Sequence, residues 1–94
     1  MSKSIISNDK KCFICGSDTA LHKHHIFYGA KNRRNSEKQG CWVYLCAMHH
    51  NMSSHGVHFD KDKDLYLKKF AQATWEMENG SREEFVKIFG RNYL

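Results

Sequence analysis

Two pairs of soft metal ligands constrain this chain more than any other feature: Cys12-Phe13-Ile14-Cys15 and Cys46-Ala47-Met48-His49. Two residues separate the members of each pair, a spacing that lets both side chains turn onto one ion. Zn²⁺ takes four N/S ligands in a tetrahedron, so Cys12, Cys15, Cys46 and His49 make a complete structural site. A chain of 94 residues makes one domain, 1–94, with a modest core. Scaffolds of that size commonly lean on a metal or on disulfides. No apolar run reaches membrane-spanning length, and the first residues lack the apolar segment of a signal peptide. A cytoplasmic protein without a membrane partner is therefore expected. In a reducing compartment cysteines serve as ligands or free thiols rather than as a disulfide framework. Cys41, outside the paired spacing, reads as a small buried apolar residue. A redox Cys-x-x-Cys is the competing reading of Cys12 and Cys15, but no βαβ pattern surrounds them.

Seven histidines in 94 residues are the second anomaly. His22, His24, His25, His49, His50 and His55 lie close together, with His58 just beyond, and such clustering beside cysteines points to metal chemistry. With His49 assigned to the zinc, His24, His25 and His50 are left over. The expectation is that the zinc clamp brings them to a second, catalytic metal. Lys and Arg exceed Asp and Glu by five, which favours a polyanionic partner. A hydrophobic content of 40% with 13% aromatic residues suits a globular domain and not a disordered tail.

Along the chain, residues 1–10 read as a loose lead-in, 11–58 as the zinc core and 59–94 as a helical part. A knuckle at 11–16 has Gly16 where a positive φ is needed. Residues 19–28 suit a short strand, in which His24 and His25 face opposite ways unless the chain bends near Gly29. His22 falls on the outward face as an incidental residue. Residues 29–40 are the least apolar stretch and read as an exposed loop, with room for one helical turn, carrying Lys31, Arg33, Arg34 and Lys38 as candidate phosphate contacts. Residues 41–46 form the best strand, and a helix starts at Ala47, where His49 and His50 point about 100° apart. Residues 53–62 form a capping loop. Residues 64–78 show helical periodicity, with Tyr66, Phe70, Ala73 and Met77 as the stripe and Leu67, Ala71 and Trp75 widening it. Ser81 to Glu84 match a capping box before a short helix with Phe85, Ile88 and Phe89, stopped by Gly90.

Cys-x2-Cys, then His24-His25-Ile26, then Leu45-Cys46-x2-His49-His50-Asn51 resembles the HNH, or ββα-metal, endonucleases, in particular their small zinc-stabilised phage forms. The phage recombination-enhancing nucleases are similar, and Gly56-Val57-His58 matches their Gly-hydrophobic-His. The motif portion covers residues 12–58. The resemblance implies an α+β fold: a zinc-bound, treble-clef-like ββα-metal core with two C-terminal helices. It implies DNA as partner, and a recombination or packaging protein of phage or host as a second one. His24 and His50 then match the metal-binding positions and His25 the general base. Cys41 stands where the family has its middle Asn, which removes one support of the base; Asn35 and Asn51 are candidates to replace it. His55 and His58 are candidates for a further ligand or a phosphate contact.

Phosphodiester hydrolysis needs a water deprotonated near neutral pH, a task suited to imidazole, and charge neutralised on the phosphate and the departing oxygen. Zn²⁺, Ni²⁺, Mn²⁺ and Mg²⁺ all remain open for a two-imidazole site, with nitrogen ligands favouring transition metals. The expected function is thus a metal-dependent DNA endonuclease with structural Zn²⁺ and a catalytic divalent ion. The other class is a non-catalytic zinc module that binds nucleic acid or bridges proteins. One small domain with a short basic stretch and no recognition helix offers little surface for base readout, so specificity falls to dimerisation, a partner or DNA structure.

Overall fold

The computed structural model describes residues 3–50, 56 and 60–94. Two strands, β1 (Leu21–His25) and β2 (Trp42–Cys46), pair antiparallel with Leu21 opposite Cys46 and His25 opposite Trp42. Between them runs α1 (Ala30–Gln39). A short α2 (Ala47–His50) follows β2 directly, and α3 (Lys61–Glu78) and α4 (Arg82–Phe89) complete the chain. The α+β expectation, a hairpin with a helix at its end and two C-terminal helices, holds.

The basic stretch expected as a loop is the ten-residue helix α1. Its Ala, Lys, Arg, Glu and Gln are good helix formers, and Gly40 closes it in the left-handed conformation, φ 74°, its N–H reaching Ser36 O. A Cβ at Gly40 would also lie 2.5 Å from Lys3 O, so two constraints demand glycine there. No apolar stripe announces α1 because polar groups attach it. Ser36, its one buried residue, donates from Oγ to Phe27 O at 2.7 Å and accepts from Phe27 N at 3.1 Å. Asn32 and Asn35 donate to Phe89 O and Ile88 O, carbonyls that the end of α4 leaves unpaired.

The N-terminal segment is likewise held rather than loose. Ser4, 7% exposed, donates to Trp42 O at 2.6 Å, and Ile5 N donates to Gly40 O at 2.9 Å.

Helix α3 begins three residues earlier than expected, because Asp60 caps it by accepting from Asp62 N and Lys63 N. Its buried face also differs. Leu67, Ala71, Gln72 and Trp75 face the core, whereas Tyr66, Phe70 and Met77 are 61%, 40% and 87% exposed. Apolar residues lie on both sides of this helix, so periodicity leaves the choice open. The aromatic ridge of α4 makes it: Phe85 packs on Trp75 at 5.7 Å between ring centroids and on Phe27 at 5.3 Å, and Phe89 packs on Phe27 at 4.5 Å. Gln72 is tolerated inside because Asn92 and Glu76 accept from its Nε2 and Tyr93 N donates to its Oε1. Ser81 and Glu84 form the expected capping box. Phe85→Ala should cost about 3–5 kcal/mol and Met77→Ala less than about 0.5 kcal/mol. Urea unfolding of the two variants checks which face is core.

Cys41 is fully buried, and burial pushes its thiol up to about 12. It behaves as the apolar filler expected. No described helix is long and apolar enough to cross a membrane.

Candidate metal centre and histidine cluster

The knuckle is built by backbone hydrogen bonds. Gly16 N donates to Cys12 O, Cys12 N to Ser17 O, and Gly16 takes φ 79°, as its place in the turn requires. Phe13 N donates to Tyr44 O at 2.8 Å, fastening the knuckle to β2. Strand β2 ends in Cys46 and α2 presents His49 one turn on. The four predicted ligands therefore converge: their donor atoms all lie within 4.8 Å of one another.

A zinc tetrahedron with ordinary bond lengths has S···S edges of about 3.8 Å and S···N edges of about 3.6 Å. Here Cys15 Sγ···Cys46 Sγ is 3.7 Å, Cys12 Sγ···His49 Nδ1 is 3.7 Å and Cys46 Sγ···His49 Nδ1 is 3.3 Å. The donor set fits Zn²⁺ in chemistry and in size. None of the cysteines is in a disulfide. Burial opposes ionisation of Cys12, but the N–H groups of Cys46, Cys15 and Ile14 outweigh it and bring the thiol down to about 6. For Cys15 the Ser17 N–H favours the thiolate, yet burial and the neighbouring sulfurs of Cys12 and Cys46 hold it above its ordinary value. Sulfurs that crowd one another in this way are relieved by a shared cation. Among the described residues this is the one group of three or more such ligands whose donors all lie this close.

The other histidines sort by the two-residue alternation of β1. His22 and His24 share the face toward α2. His22 Nδ1 lies 2.9 Å from His50 Nδ1, and the His24 ring sits 5.2 Å from that of His50, centroid to centroid. His24 is 2% exposed. His22, expected to be incidental, is thus part of the cluster. The signal that could have found it is the i, i+2 spacing from His24.

His25 takes the other face. There its Nε2 donates to Glu37 Oε1 at 2.9 Å, and Lys23 Nζ donates to the same carboxylate at 3.1 and 3.3 Å. The hydrogen bond from His25, helped by Lys23, holds the Glu37 carboxyl below the ordinary carboxylate range. Of the two candidate supports, Asn35 donates to Ile88 O and Asn51 lies outside the described residues; a carboxylate on α1 supports His25. Sequence spacing does not disclose Glu37, because nothing local marks its stretch as the helix that turns it toward His25.

Lys31, Arg33, Arg34 and Lys38 are all exposed on α1, the helix that carries Glu37. The stretch expected as an exposed loop thus carries these four residues on a helix. His55, His58 and Asn51 lie outside the described residues, as do Val57 and most of the expected capping loop.

No family model matches the chain, and no curated protein or solved structure matches it either, so the centre is read from its own residues: a hairpin-borne Cys3His metal site with a histidine cluster beside it.

Proposed function

We propose that this chain is a metal-dependent endonuclease of the HNH type, hydrolysing DNA phosphodiester bonds around a structural zinc. One observation carries the reading. Consecutive residues of α2 serve two centres, His49 turning to the three cysteines and His50 to His24 and His22 on β1. Fixing the first centre therefore positions the second.

His24 and His50 would hold the divalent ion, which when bound would supply positive charge for the phosphate and the departing 3′-oxygen. His25 is the base. Glu37 accepts only, so it keeps the proton of His25 on Nε2 and leaves Nδ1 to take a proton from the attacking water. The carboxylate also stabilises the imidazolium that results, as an orienting acid does in other His–carboxylate pairs. The exposed bases of α1 offer charge for the DNA backbone.

The test is plasmid nicking by the zinc-loaded protein with added Mg²⁺, Mn²⁺, Ni²⁺ or Zn²⁺. Wild type should nick with at least one of them, and His50→Ala should keep its zinc and lose activity. The second reading, a non-catalytic zinc module that binds nucleic acid, draws on the opposite facing of His25 and His24. DNA binding without cleavage under every metal would establish it.

Glu37→Gln should slow cleavage about tenfold or more, a part of the roughly 10²–10⁴ that a positioned base supplies. It should also flatten the acid limb of the stability profile. A carboxyl held low in the fold contributes stability above its unfolded value, and that contribution is lost as pH falls through the lowered one. Single-turnover rates and urea midpoints against pH check both.

A further inference from the structure

We propose that the outward face of α3 is the seam of a homodimer, along which two copies of the chain pair antiparallel. The seam is independent of the histidine cluster and of any nuclease activity. Tyr66, Phe70, Ala73 and Met77 recur at alternating steps of four and three, the spacing of a coiled-coil seam. All four are exposed, Met77 at 87%. Leu67, Ala71, Gln72 and Trp75 already fill the face toward the core, so the core accounts for little of the stripe. An exposed apolar stripe of this kind marks an interaction surface.

Two observations name a second copy as what covers it. The first is shape. The stripe, paired with itself antiparallel, sets Phe70 against Ala73 and Tyr66 against Met77 of the other copy. Beside Tyr66 lies a cavity of about 480 Å³, lined by Phe13, Ile14, Tyr66, Leu67, Asp62 and Lys63. The same register therefore brings Met77, a flexible side chain suited to irregular gaps, to that cavity, and symmetry makes the contact twice. The second is charge. Lys69 and Glu76 both flank the stripe on one side, one heptad apart, and Lys69 is exposed. Antiparallel pairing places each Lys69 beside Glu76 of the other copy, whereas a parallel pairing would face Lys69 with Thr74 instead. Gln72 and Arg82 both donate to Glu76 Oε2, which leaves Oε1 able to accept from the incoming ammonium. A seam of about three turns is short for a stable interface, which buries about 1,200–2,000 Å², so the pairing is reversible and depends on concentration.

The experiment is sedimentation equilibrium of the zinc-loaded protein from micromolar to millimolar concentration, with circular dichroism on every variant. Wild type should shift reversibly from monomer to dimer. Met77→Lys, a change at a side chain open to solvent within its own copy, should weaken dimerisation about tenfold or more. Lys69→Glu and Glu76→Lys should each weaken it alone, and an equimolar mixture of the two should restore it, because unlike charges again meet across the seam. Wild type that stays monomeric at millimolar concentration would overturn the seam. A dimer unmoved by Met77→Lys would place the interface on another face and sink the role of α3. A mixture that stays monomeric, where Met77→Lys also dissociates, would contradict the antiparallel register.

Discussion

Cys46→Ser should leave the domain largely unfolded at room temperature, and stripping zinc from the wild type with a strong chelator should do the same. Zinc at a structural site contributes an apparent ~10–16 kcal/mol in small zinc-dependent units. The whole net stability of an ordinary domain is about 5–15 kcal/mol. The wiring of this chain makes the dependence strong. Cys12 and Cys15 reach the hairpin through one knuckle and its Phe13–Tyr44 hydrogen bond, while Cys46 and His49 straddle the junction of β2 with α2. Without the cation, crowded sulfurs face one another at 3.7 Å, and the knuckle is left with its backbone hydrogen bonds and the edge contact of Phe13 with Phe70. Far-UV circular dichroism with zinc analysis reads the outcome. Cys41→Ala is the control: its thiol is buried away from the cluster, so it should lose some packing energy and no zinc. A Cys46→Ser protein that melts like wild type would show that the aromatic core suffices alone.

His25→Ala should lower the single-turnover rate of DNA cleavage about 10²–10⁴-fold, the range for removing a positioned general base. Zinc content, fold and DNA affinity should stay near wild type. His25 lies at the end of β1, partly exposed, and its hydrogen bond is to Glu37 rather than to any residue of the Cys3His set. That separates it from His49, whose loss would strike the zinc and the fold first. A rate unchanged by His25→Ala would remove it from the chemistry and shift attention to the opposite face, where His22, His24 and His50 meet.

The Cys3His cluster was legible because a metal site imposes a local spacing that survives in sequence, and two pairs had to agree. The Ser81–Glu84 capping box and the strand at 42–46 were legible for the same kind of reason: each is decided by neighbours within a few residues. What long-range partners decide was not. Helix α1 is secured by Ser36, Asn32 and Asn35 to backbone atoms of Phe27, Phe89 and Ile88, contacts that leave no apolar period. The buried face of α3 is chosen by Phe85 from the next helix. Alternation placed His24 and His25 on opposite faces correctly, but the partners of His25 and His22 came from α1 and α2 and could not be named beforehand.

The central claim is that two cation centres share α2, one made of sulfur and imidazole for the fold and one made of imidazole for the chemistry. Anomalous diffraction from crystals of the zinc protein soaked in Mn²⁺ or Ni²⁺ tests it most directly. Two peaks are predicted, a zinc within the Cys12–Cys15–Cys46–His49 set and the soaked ion between His24 and His50. A single peak at the cysteines, with the His24 and His50 rings closed on each other and no ion between them, would contradict the account.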